Sequence, residues 1–142
     1  MLTRRRLTQP LVEAWFDLLP AGQQPLAREL HLAILALAPG LDQTVRSGHL
    51  IYGIERQHVL ALAPHRQHLH LQVFAGSALV ARFPMLEGTG PGLRQLRLRY
   101  AQPVDMALVH AIVAAAAQAA PARRSGSPPG REPGAEGGGD PA

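Results

Sequence analysis

The chain has 142 residues and no cysteine or lysine; its fourteen cations, all arginine, stand against ten acids for a net charge of +4. That length suits one domain with an appendage. The missing cysteine excludes a disulfide framework, a thiolate metal site and a cysteine nucleophile, and so small a charge does not by itself indicate nucleic-acid binding.

Arg4-Arg5-Arg6 lies near the start. Gln9, Pro10, Glu13 and Asp17 break any apolar run behind it, so residues 1–8 read as a solvated basic arm and not as a signal peptide. Pro10 to Leu19 reads as a short helix: Leu11, Trp15 and Leu18 recur at helical spacing, Pro10 suits the first turn and Pro20 stops it. Gln24 to Ala38 reads as a second helix. Leu26, Leu30, Ala33, Ile34 and Leu37 form its stripe, and Pro39-Gly40 ends it.

From Gln43 the apolar period changes to two. Thr44 to Ser47, Leu50 to Ile54, His58 to Ala63 and His68 to Phe74 read as successive strands, with Glu55-Arg56-Gln57 as a hairpin turn. Gly76 to Arg82 is a short helix or turn. Leu86 to Leu93, LEGTGPGL, is a Gly-rich loop, and Arg94 to Arg99 a further strand. Pro103 to Ala119 reads as the last helix, with Val104, Leu108, Ala111, Ile112 and Ala115 on one stripe. Residues 121–142 are rich in Pro and Gly and have little apolar surface, so disorder is expected there.

The order is helix, helix, antiparallel strands, helix. It predicts an α+β domain over residues 9–120, an antiparallel sheet with one face under the N-terminal and C-terminal helices and the other face wet. Leu69, Leu71, Val73, Leu96 and Leu98 should face the helices. His68, His70, Gln72, Arg97 and Arg99 should face solvent or a partner.

Three groups of residues have the chemistry of a site. On a strand, His68 and His70 share a face with Cα atoms about 6–7 Å apart. They can share a divalent ion, with His58 or His65 as a third ligand. Zinc, nickel or copper suits nitrogen donors, whereas ferrous iron usually wants carboxylates as well. The plainer alternative is a solvated sheet face. In the loop, Gly88, Gly90 and Gly92 let successive amides approach an anion beside Arg94; the plainer alternative is a tight structural connection. Arg94, Arg97 and Arg99 form a basic patch for weak polyanion binding, although the exposed aromatics of a typical RNA-binding sheet are lacking. No nucleophile elbow or paired carboxylates are visible, and Ser47 beside His49 has no orienting third group. Catalysis is not expected.

Two stretches resemble a known family. VRSGHLIYGI, Val45 to Ile54, is similar to the pattern basic–aromatic–Gly–x–Pro–x–Tyr of the YdhG-like domains of unknown function: Arg46, Gly48 and Tyr52 fit, while Ser47 and Leu50 depart from it. LEGTGPGLRQLRLR, Leu86 to Arg99, is similar to the family's Leu-Glu-Gly-Thr-Gly-Lys loop and following basic strand. Glu87, Gly88, Thr89, Gly90 and Arg94 fit there, with Pro91 in place of the lysine. The run HLHLQVFAGSAL also fits. The resemblance spans roughly residues 11–116. It implies a YdhG-like α+β sandwich and a ligand groove beside Gly48, Tyr52 and the loop residues Glu87, Gly88, Thr89, Gly90 and Arg94. One branch of the family is described as frataxin-like iron chaperones.

The sequence therefore leads to a non-catalytic binding module with an unidentified ligand. The alternatives are a metal chaperone and a weak polyanion binder. The expected partner is a small ligand or a protein, with no membrane; nucleic acid enters only through the weak polyanion alternative, and a homodimer is left open. Cytoplasm is the default location.

Overall fold

A computed structural model describes residues 4–120. Three α-helices, α1 (Arg4–Leu18), α2 (Gln24–Leu37) and α3 (Met106–Ala119), accompany five strands. These are β1 (Asp42–Arg46), β2 (His49–Ile54), β3 (Gln57–Pro64), β4 (His68–Val73) and β5 (Arg94–Arg99). All neighbouring strands are antiparallel, in the order β1-β2-β3-β4-β5. This is the α+β architecture that the sequence predicts. Among the described residues, no helix is long and apolar enough to cross a membrane.

The register sorts side chains into rows across the sheet, because paired residues share a face. Val45, Leu50, Leu62, Leu71 and Leu96 form one row. It lies in the single core with Phe16, Leu30, Ile34 and Ile112 of the helices. Thr44, Ile51, Ala61, Gln72 and Gln95 form the next row, on the opposite face. All five apolar positions expected under the helices are buried: Leu69, Leu71, Val73, Leu96 and Leu98.

Two hairpins turn in the minimum of two residues. Ser47 and Gly48 have φ of 54° and 81°; Glu55 and Arg56 have φ of 48° and 73°. Positive φ at both central residues is the signature of a type I′ turn, whose twist matches that of the flanking strands. Gln57 therefore belongs to β3, paired with Ile54, and not to the turn. A register shift follows at Tyr52/Gly53. A Cβ on Gly53 would stand 2.5 Å from the Gln57 carbonyl oxygen, so the backbones approach closely there and leave no room for a side chain.

The helices differ from expectation in their ends and faces. α1 begins at Arg4 and carries Pro10 inside it; the proline removes one amide donor without ending the helix. Of the arm expected over residues 1–8, residues 1–3 lie outside the described residues, as does the tail 121–142. Val12, Trp15 and Phe16 are buried, whereas Leu11 and Leu18 are 61% and 84% exposed. The stripe thus lies one residue round from the one drawn through Leu11 and Leu18. In α3 the cap is Asp105, whose carboxylate accepts from the Leu108 amide at 3.1 Å. Val109, Ile112, Val113, Ala115 and Ala116 are buried, and Ala111 is exposed.

Candidate functional site

The open face of the sheet has an apolar floor between polar walls. Ile51, Ala61 and Ala63 are buried on it. Polar side chains stand on either side of them: Arg46 and Thr44 from β1, His70 and Gln72 from β4. A groove of about 460 Å³ opens at the β2–β3 hairpin end of this face, lined by Asp42, Thr44, Arg46, Ile51, Gly53 and His58 among others.

Three histidines meet at the opposite end. Centroids of the His65 and His70 rings are 4.1 Å apart, of His68 and His70 4.9 Å, and of His65 and His68 5.6 Å. The β4 alternation places His68 and His70 on one face. The tight β3–β4 turn, closed by the His65 amide on the His68 carbonyl at 2.8 Å, brings His65 back over them. Across the β4–β5 ladder, His68 stands opposite Arg99 and His70 opposite Arg97. Arg97 holds Glu87 at 3.2 Å. His68 Nδ1 and His70 Nε2 are out of solvent without a hydrogen-bond partner.

Burial and the neighbouring positive groups make two of these imidazoles, His68 and His70, harder to protonate. The His70 imidazole is pushed down to about 4, first by desolvation and then by His65, His68 and Arg97, with Glu87 opposing. His68 is lowered by desolvation, Arg97, His65 and Arg99. His58 is not part of the cluster. It sits five positions from Ala63, the β3 partner of His70, or about 16 Å along the strand. Its ring meets the edge of Phe74 at 5.2 Å. Among the described residues, no group of three or more His, Asp or Glu side chains is arranged to hold a metal ion.

The groove expected beside Gly48, Tyr52 and the Gly-rich loop is not assembled. Tyr52 lies in the row of Gln43, Leu60 and Val73 on the helix side of β2, fully buried. Its hydroxyl is 2.8 Å from His31 Nδ1 on α2. Gly48 is spent on its turn, and its carbonyl accepts from the Trp15 indole at 3.0 Å. Glu87, Gly88, Thr89, Gly90 and Arg94 stand at β5, three strands from β2, about 14 Å by strand spacing.

The loop itself is tied down as a connection. Glu87 and Gln95 exchange backbone hydrogen bonds at 2.8 and 2.9 Å; the Ser77 amide and hydroxyl donate to the Gly92 and Pro91 carbonyls at 2.9 and 2.6 Å. Arg94 does not join Arg97 and Arg99. Its even position on β5 turns it to the other face, where its Cβ packs on Gly76 and its guanidinium donates to the Leu93 carbonyl at 3.0 Å. The basic patch reduces to Arg97 and Arg99.

Two residues absent from the sequence reading matter here. His31 stands on the α2 stripe between Ala27 and Ile34, and a polar residue in an apolar stripe is the signal of a buried partner. Ser77 gave no signal, because its role depends on a loop brought to it by the fold.

The fold is that of a small α+β domain with an antiparallel meander and helices on one face. It is similar to a solved structure of a Bacillus subtilis protein of the DUF1801 family, YdhG, with a TM-score of 0.58 and 12% identity, over 73% of this chain and 86% of that one. At that identity the likeness shows the fold, which is the fold the resemblance implied. No protein-family model matches the chain, and no curated protein matches it.

Proposed function

We propose that this domain is a non-catalytic binding module that holds its ligand on the open face of the sheet. The observation that supports this is the floor of Ile51, Ala61 and Ala63 set between the arginine of β1 and the histidines of β4. Apolar surface with a few well-placed polar groups is the usual make-up of a ligand site, and Ile51 of this floor also lines the groove at the β2–β3 hairpin end. Tyr52 and Gly48, which the resemblance offered for this role, serve the core and a turn instead.

The test is a screen of soluble metabolites by thermal shift, followed by backbone amide mapping of each hit. Perturbations should follow the row Thr44, Ile51, Ala61, Gln72 and Gln95, and the ligand should be recovered unchanged after long incubation. Perturbations confined to the helical side, or chemical conversion of the ligand, would overturn the proposal.

A further inference from the structure

We infer that the corner formed by His65, His68, His70, Arg97 and Arg99 is a site for a small oxyanion, the phosphate group of a phosphorylated metabolite being the class that fits. The inference rests on the open-face reading and names the chemistry of one end of that face. Two guanidinium groups stand directly across the ladder from two imidazoles. Cβ atoms of such pairs lie about 4.5–5.5 Å apart, so both kinds of group reach one oxyanion. Arg99 has no carboxylate partner among the described residues. Arg97 has Glu87, half exposed and on the outer side of β5. The imidazole nitrogens His68 Nδ1 and His70 Nε2 are sheltered and unpartnered. A tetrahedral oxyanion supplies acceptors to each of these donors and matches the guanidinium fork.

The same surroundings weigh against a cation. Arg97 and Arg99 both make protonation of this cluster harder, and they would repel a divalent ion in the same way. They also set the size of the ligand. Around this corner the open face carries Gln72, Gln95, Ala61, Ala63 and Ile51, and its other arginine, Arg46, stands on β1 at the far edge of the sheet. A nucleic-acid strand needs a basic track, whereas Arg97 and Arg99 are two neighbouring positions on one face of one strand.

Binding is coupled to protons. In the empty site the pKa values of His70 and His68 are lowered, and an oxyanion favours their charged, doubly donating form. The groups facing His70 are His65, His68, Arg97 and Glu87, and those facing His68 are Arg97, His65, Arg99 and Glu87, with the His70 ring beside it. Each proton taken up with the anion raises affinity about tenfold per pH unit of acidification while the free imidazole stays unprotonated.

The probe is sulfate, a dianion throughout the range, titrated into the full chain at about pH 7.5 and about pH 5.5, where histidine charge changes. Imidazole and amide signals of His65, His68 and His70 report binding. The expected result is saturable binding, at least about tenfold tighter at the lower pH by that linkage, and lost in Arg99→Gln and in His70→Gln. Circular dichroism checks that both variants are folded. His68→Gln is a further variant should one of them fail to fold. Inorganic phosphate and a nucleoside monophosphate should bind as sulfate does. Absence of saturation, equal affinity at the two pH values, or retention in the folded variants would overturn the inference. So would a short single-stranded DNA binding far tighter than the monophosphate with a steep salt slope, or Ni²⁺ protecting the fold where sulfate does not. If sulfate fails while another ligand still maps to the open face, only the anion assignment falls. If ligands map to the helical side, the open-face reading itself falls.

Discussion

The Tyr52 hydroxyl and His31 Nδ1 lie 2.8 Å apart and join the centre of the sheet to the helix layer. The tyrosine is fully buried, and burial raises its pKa well above the ordinary value, so it keeps its proton. Tyr52→Phe leaves the ring in place and removes the hydroxyl. It should lower stability by about 1 kcal/mol, the usual worth of such a bond, measured by urea unfolding at neutral pH with an unchanged m-value.

His31 also gives the fold a pH dependence. Its pKa is lowered, chiefly by desolvation; Arg28 adds to this and Glu13 opposes it. The unfolded chain therefore takes up a proton at higher pH than the folded one. Stability from this group is intact above the unfolded value of about 6.5 and is lost as pH falls below it. The wild type should lose stability on acidification more steeply than His31→Gln, compared by urea midpoints at several pH values. Parallel curves would remove His31 from the account.

Exposure on α1 separates two sets of apolar residues. Leu18→Gln should change stability by no more than about 0.5 kcal/mol, since the side chain is almost wholly in solvent. Phe16→Ala should cost about 3–5 kcal/mol, because its ring is fully buried and packs against Trp15 at 4.9 Å. Thermal midpoints of the two variants decide which stripe holds the helix.

The β2–β3 turn places two residues with side chains at positive φ. Left-handed backbone costs roughly 1–2 kcal/mol for an ordinary residue. Replacing Glu55-Arg56 by Asn-Gly should relieve that strain and raise the urea midpoint. A lowered midpoint would mean that the side chains contribute more than the strain costs.

Gly53 sits at the register shift between β2 and β3. Gly53→Ala should destabilise by about 1–3 kcal/mol, because the new methyl would press on the Gln57 carbonyl oxygen. Gly22→Ala is the control, with nothing within 4 Å of the added carbon. Equal midpoints for the two would show that the bulge relaxes freely.

Strand parity carried the sequence reading furthest. It placed His68, His70 and Arg97 on one face and Leu69, Leu71 and Leu98 on the other, because a strand leaves no choice about alternation. The same rule separates Arg94 from Arg97, a consequence visible in RQLRLR once its period is followed back to the first residue. Helix faces were less legible. Leu11 and Leu18 fit a helical spacing as well as Val12 and Phe16 do, and only the sheet decides which stripe is covered. The meeting of His65 with His68 and His70 was within reach, since a short turn brings His65 back. The separation of Tyr52 from the Gly-rich loop was not, because it depends on strand order across the sheet.

The five strands occur in the sheet in the order in which they occur in the chain. Three of the four ladders are closed by connections of two or three residues, between Arg46 and His49, Ile54 and Gln57, and Pro64 and His68. A chain that pairs only with its recent past can assemble as it leaves the ribosome, each hairpin giving the next strand an edge on which to form. Residue 64 is enough to finish β1 to β3, and α1 and α2 are already available to cover them. The fourth ladder waits for the excursion through Gly76 and the Gly-rich loop, so the histidine–arginine corner is the last part of the sheet to be completed.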